Sequence, residues 1–137
     1  MRIGELAREA GTTPRTVRYY EEIGLLPLGD SRSAGAHREY GSADLERLLE
    51  ILRLKDLLGL SLDELREVVH GEAARPARRR SFHQTTDPVQ RERIRAEATA
   101  HVDRLLALVA RRRDELAILE RELLERRDRA QAAETAS

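Results

Sequence analysis

The sequence predicts a mainly α-helical chain in two parts. A small N-terminal domain of short helices carries a β-hairpin, and a single long C-terminal helix follows. Three observations predict this. Short apolar patterns with helical spacing are punctuated by glycine and capping residues up to about residue 70. A run of turn formers interrupts them between Leu25 and Tyr40. From Ala98 onward, apolar residues alternate at spacings of four and three over about four heptads.

Composition agrees. Charged residues make up 36% of the 137 residues and aromatics 3%, which fits a small core and long solvated helices. The formal net charge is zero, so bulk charge points to no nucleic-acid partner. Residues 1–70 hold ten Lys and Arg against thirteen Asp and Glu. Any DNA contact in that half must therefore come from local placement of arginine. The chain has no cysteine, which excludes thiolate metal sites, iron–sulfur clusters and disulfides. No metal site or cofactor is expected. No apolar run is long enough to span a bilayer, and Met1 leads directly into a helical pattern rather than a signal peptide, so a cytoplasmic location is expected.

In chain order, Ile3, Leu6, Ala7 and Ala10 have the spacing of a short amphipathic helix, and Gly11 stops it. Thr13 can cap a second helix, with Pro14 at its first position and Gly24 past its end. Val17 and Tyr20 share one side of that helix, and Arg15, Arg18 and Tyr19 share another. Glu21 and Glu22 would repel phosphate, so the N-terminal end is the one suited to a nucleic-acid groove. Two short helices across a tight turn fit a helix-turn-helix, and they fit a plain αα-hairpin equally well.

Pro27, Gly29, Asp30, Ser31, Ser33 and Gly35 suggest a hairpin with Leu26–Leu28 and His37–Tyr40 as strands. Arg32 and Arg38 would lie on it, where a wing can place arginine on phosphate. Ser42 is read as the cap of a third helix, with Leu45, Leu48, Leu49 and Leu52 inward and Lys55 beyond them. Ser61 and Glu64 form a capping box for a fourth helix, with Leu62, Leu65, Val68 and Val69 inward and Gly71 as its stop. Residues 71–87 are read as a linker with an Arg78-Arg79-Arg80 run and the only phenylalanine, Phe82. Asp87 and Pro88 open the long helix. Its seam is Ala98, Val102, Leu105, Val109, Arg112, Leu116, Leu119 and Leu123, with Arg112 as a polar interruption. About 40 residues of helix would span about 60 Å, too long to bury its seam on the small domain. It needs a partner helix, and a second copy in either orientation would make a dimer. The division expected is 1–70 DNA-binding domain, 71–87 linker, 88–129 dimerisation helix and 130–137 disordered tail. His83 and His101 read as surface histidines.

The segments IGELAREAG, TPRTVRYYEEIGLLP, HREY and DLERL…LKDLLGLSLDELREVV, followed by the heptads, resemble the MerR family of bacterial transcription regulators over essentially the whole chain. The resemblance implies a winged helix-turn-helix domain and an antiparallel dimeric coiled coil. It implies a homodimer on a pseudo-palindromic promoter site, acting with RNA polymerase by bending and untwisting an over-long spacer, where distortion energy is offset by phosphate contacts. A small-molecule effector of unknown identity is a possible partner. The implied DNA-contact positions are Thr13 at the cap, Arg15, Thr16, Arg18, Tyr19 and Tyr20 on the second helix, Arg38 and Tyr40 on the wing, and Lys55. The alternative for Tyr20 is to pack inward with its hydroxyl toward a phosphate. Val102, Leu105, Val109, Arg112, Leu116, Leu119 and Leu123 are the implied dimer residues. The chain departs from the family where Ala36-His37-Arg38 replaces the usual Gly-Tyr-Arg of the wing. It lacks the cysteines of the metal-sensing and redox branches, and no drug-binding domain is expected after the coil. A constitutive or architectural DNA-binding protein of the same fold, and a coiled-coil interaction protein, are the other classes the sequence allows. An enzyme is not expected, because no nucleophile–base pair or phosphate-cradling loop is present.

Overall fold

The computed structural model describes residues 1–26 and 39–136. The chain falls into two compact units, Met1–Ala77 and Arg78–Ser137.

The first unit holds α1 (Ile3–Ala10), α2 (Pro14–Glu22), α3 (Ser42–Leu58) and α4 (Leu62–Ala73). Helix α1 packs on α2 and α3, and α3 packs on α4. The core is built from Leu6, Val17, Leu25, Leu48 and Leu65, each at most 2% exposed. Three of the joints share one device. Gly11, Gly24 and Gly59 all have positive φ, a region that only glycine enters without strain. At each, the next residue's N–H reaches back five residues: Thr12 to Ala7 O, Leu25 to Tyr20 O and Leu60 to Lys55 O. This is the Schellman closure, and it turns Leu25 and Leu60 into the core behind the turn.

Several local expectations are met. Thr13 caps α2, accepting the Thr16 N–H at 3.2 Å, with Pro14 in the first turn. Ser61 and Glu64 exchange both bonds of a capping box, at 2.9 and 3.2 Å. Others are corrected. Gly41, not Ser42, is the N-cap of α3, and the Asp44 carboxylate accepts its N–H at 2.8 Å. Leu49 is exposed, and Ile51 and Leu58 take the buried places on α3 with Leu48. Gly71 does not stop α4, which runs on to Ala73. Nothing forces a positive φ at Gly71, so it only weakens the helix, by about 1 kcal/mol relative to alanine.

Most of the expected hairpin, with Arg32, Arg38 and the Ala36-His37-Arg38 departure, lies outside the described residues, and no strand occurs among the residues described. Its two ends are described. Leu26 belongs to the closing turn of α2, its N–H directed to Tyr20 O at 3.3 Å. Tyr40 is tied to Met1 in both directions: its N–H donates to Met1 O at 2.7 Å, and its carbonyl accepts from the Met1 amino group at 2.7 Å.

The second unit is helical almost throughout. The stretch read as a linker contains α5 (Arg75–Gln84), because alanine and arginine are good helix formers and Pro76 sits in the first turn, where no N–H is needed. A tight turn follows. Thr85 accepts the Asp87 N–H at 3.2 Å, and Asp87 caps α6 (Pro88–Ala136) by accepting the Val89 N–H at 3.1 Å. The Phe82 ring lies 4.7 Å from the Arg91 guanidinium and 5.7 Å from that of Arg95, so the two helices of this turn grip each other through cation–π contacts. Helix α6 has 49 residues, about 74 Å at 1.5 Å per residue. It continues through the stretch expected to be a disordered tail. His101, expected at the surface, is 3% exposed, whereas His83 is exposed on α5. No described helix is long and apolar enough to cross a membrane.

Candidate nucleic-acid interface

Helix α2 has a buried side and an open side. Val17 and Tyr20 are 0% and 3% exposed and hold it to the core. Arg15, Arg18 and Tyr19 face outward. Neither arginine has a hydrogen-bond or ion-pair partner among the described residues. A guanidinium without an acidic neighbour keeps all five donors available for phosphate or base edges. Thr13 and Thr16 sit at the start of the same helix. The Thr13 hydroxyl donates to Thr16 Oγ1 at 3.0 Å while capping the Thr16 N–H. Thr13 is thus spent on the helix end, and Thr16 keeps its own proton to donate outward.

The far end of α2 is fixed by a polar lock. Tyr40 is 5% exposed and its hydroxyl donates to the Glu21 carboxylate, itself 7% exposed. Glu21 therefore turns its charge into the unit and not toward a phosphate, leaving Glu22 as the exposed acid. Tyr40, expected as a contact on the wing, is buried, and its hydroxyl supplies the donor that buried Glu21 needs. Tyr20 takes the inward-packing alternative. Its hydroxyl accepts from Lys55 Nζ at 3.3 Å, and the ammonium lies 6.0 Å from the ring centroid. Lys55 thus sits at the rim of the α2 face, brought there from α3. The sequence contains Glu21, Tyr40, Tyr20 and Lys55, but 19 residues separate the first pair and 35 the second. Nothing in local spacing could have joined them.

Two helices across a glycine turn, the second exposing its N-terminal arginines, form a helix-turn-helix. The family model for MerR HTH regulatory proteins matches residues 1–72. The chain belongs to the MerR family. It is similar to the HTH-type transcriptional regulator YfmP of Bacillus subtilis, with 32% identity over 109 residues, covering 80% of this chain and 77% of that protein. The ZntR homolog of Haemophilus influenzae is 33% identical over 129 residues, 94% of this chain and 82% of that one. Among solved structures, the transcription regulator PbrR691 of Ralstonia metallidurans, crystallised with lead(II), is 35% identical and aligns with a TM-score of 0.50, over 93% of this chain and 86% of that chain. This MerR-family chain is accordingly a DNA-binding transcription regulator. Its cysteine-free sequence offers no thiolate to a soft metal ion. Among the described residues no group of three His, Asp or Glu side chains is placed to hold a metal.

The expected dimer residues lie along α6. Val102, Val109, Leu116, Leu119 and Leu123 are 39–50% exposed, and Leu105 is half-buried. Arg112 is half-buried and paired with Glu115 at 3.5 Å. Leu106, Ile118 and Leu124, which the heptad reading left out, are equally exposed.

Proposed function

We propose that this regulator works as a homodimer, each copy presenting α2 to one half of a pseudo-palindromic promoter site. Arg15, Thr16 and Arg18 read or grip the groove, Tyr19 and Lys55 position the protein on phosphates, and Arg38 adds a contact from the wing. Thr13, Tyr20 and Tyr40 act indirectly, by holding α2 in place. The single observation that carries this reading is the open face of α2, where Arg15 and Arg18 lack any partner among the described residues. The dimer is supported by a row of half-exposed leucines and valines on a helix of 49 residues. Water-exposed apolar rows of this length are stable only when another helix covers them. An antiparallel pairing would set the two DNA-reading units at opposite ends of the coil. Bending and untwisting an over-long spacer for RNA polymerase is the mechanism such a pair of fixed grips can perform.

The test is selection of genomic fragments by the purified protein, then footprinting of the best site. A protected pseudo-palindrome between widely spaced promoter elements is expected. Arg18→Ala should weaken binding to that site by about 1–3 kcal/mol while leaving the mass in solution unchanged. Binding isotherms that match the wild type would refute the assignment, and enrichment without sequence preference would favour an architectural role.

A further inference from the structure

The first unit carries a second feature, lined by none of the side chains on the open face of α2. An open cleft of about 390 Å³ lies between the closing turn of α2 and helices α3 and α4. This is within the size range of small-molecule sites. Ile23, Leu25 and Val69 supply apolar lining. Arg47 enters from α3, and Arg66 and His70, one turn apart, from α4. None of these three has a hydrogen-bond or ion-pair partner among the described residues. Arg47 is half-buried, and Arg66 and His70 are exposed. Among the described residues the one carboxylate lining the cleft is Glu67, which is exposed. Two guanidiniums and an imidazole thus border one apolar recess against a single acid.

Two guanidiniums bordering one open cleft repel each other, and an anion placed between them offsets that repulsion. Arginine forks match a carboxylate in two-point geometry, and the apolar lining suits a hydrocarbon or aromatic body. We infer that this cleft is a binding site for a small organic anion, a carboxylate on a compact apolar body. It adjoins the exit of α2, about 13 Å along a nine-residue helix from the capped end that carries Thr13 and Thr16. A ligand there would touch the turn that fixes α2 without competing for the groove-facing side chains.

Phenylacetate is the probe. Titrated into the isotopically labelled full chain without DNA, it should shift the backbone amides of residues 23–25 and 66–73 in a saturable way, with a Kd on the order of 1 mM. Arg66→Ala and Arg47→Ala should each weaken binding by about tenfold, and the neutral isostere phenylacetamide should bind about tenfold more weakly. Arg53→Ala, on the same helix as Arg47 but outside the cleft, should bind as the wild type does. Arg66 is exposed, so its variant keeps the test sound even if Arg47→Ala disturbs folding. Shifts that do not saturate, equal binding of phenylacetamide, or unchanged affinity in Arg66→Ala would each overturn the assignment. No DNA is present, so failure here is separate from failure of the promoter-binding reading.

Discussion

The two units solve the hydrophobic problem differently. In Met1–Ala77, leucine and valine side chains bury one another within a single copy, down to 0% exposure at Val17, Leu48 and Leu65. In Arg78–Ser137 the same residue types stand in a row on α6 at 39–50% exposure. The chemistry of a leucine does not differ between them. What differs is whether the chain turns back on itself. Glycines with positive φ fold the first unit into helices of 8 to 17 residues that face one another. Helix α6 has no glycine and no proline after Pro88, so nothing in its sequence breaks the helix or turns it back on itself. The first unit buries its apolar side chains within one copy, whereas the second leaves a row of them exposed, the row the proposed dimer would cover.

The sharpest way to break this contrast is to charge the seam. Leu116→Asp combined with Leu119→Asp should abolish dimerisation, giving the mass of one chain by light scattering, while the first unit keeps its helical signal. A dimer surviving both changes would place the interface elsewhere. Truncating the core should do the reverse. Leu65→Ala, at a fully buried position, should destabilise the first unit by about 2–5 kcal/mol in denaturant unfolding, with association through α6 unaffected. A smaller loss is expected from Tyr40→Phe. It removes the hydroxyl that donates to buried Glu21 and should cost about 1.5–3 kcal/mol. An unchanged unfolding midpoint would show that Glu21 is satisfied without it. The smallest effect sharpens the role of the turns. At Gly24, φ is 79° and an added Cβ would meet nothing within 4 Å, so Gly24→Ala should cost only the left-handed backbone penalty, about 1–2 kcal/mol.

Legibility in the sequence followed the range of the interactions. Caps and stops were readable because they act within a few residues: Thr13 with Pro14, Ser61 with Glu64, Asp87 with Pro88, and the glycines at 11 and 24. The exposed face of α2 was readable because helical spacing alone sets Arg15 and Arg18 opposite Val17. Where competing local signals were close in energy, the reading missed. Gly71 looked like a stop but is tolerated in mid-helix, and the residues around Pro76 looked like a linker but form α5. Where the partner was distant, it had no signal at all. Glu21 read, with Glu22, as an exposed charge that would repel phosphate, because Tyr40, whose hydroxyl donates to it, lies across the 27–38 segment.

The sequence by itself determined the family, helices α1 to α4 and the long α6, the exposed side of α2 and the heptad row on α6. All of these rest on periodicity, caps and motif spacing, which are properties of short stretches of chain. Only the tertiary structure decided that Glu21 and Tyr40 lock the end of α2, that Lys55 comes to rest on Tyr20, that His101 is buried, and that Arg47, Arg66 and His70 border one recess. The Glu21–Tyr40 and Lys55–Tyr20 contacts and the recess each depend on residues far apart in the chain arriving side by side, and packing, not local sequence, chooses which side chains then meet.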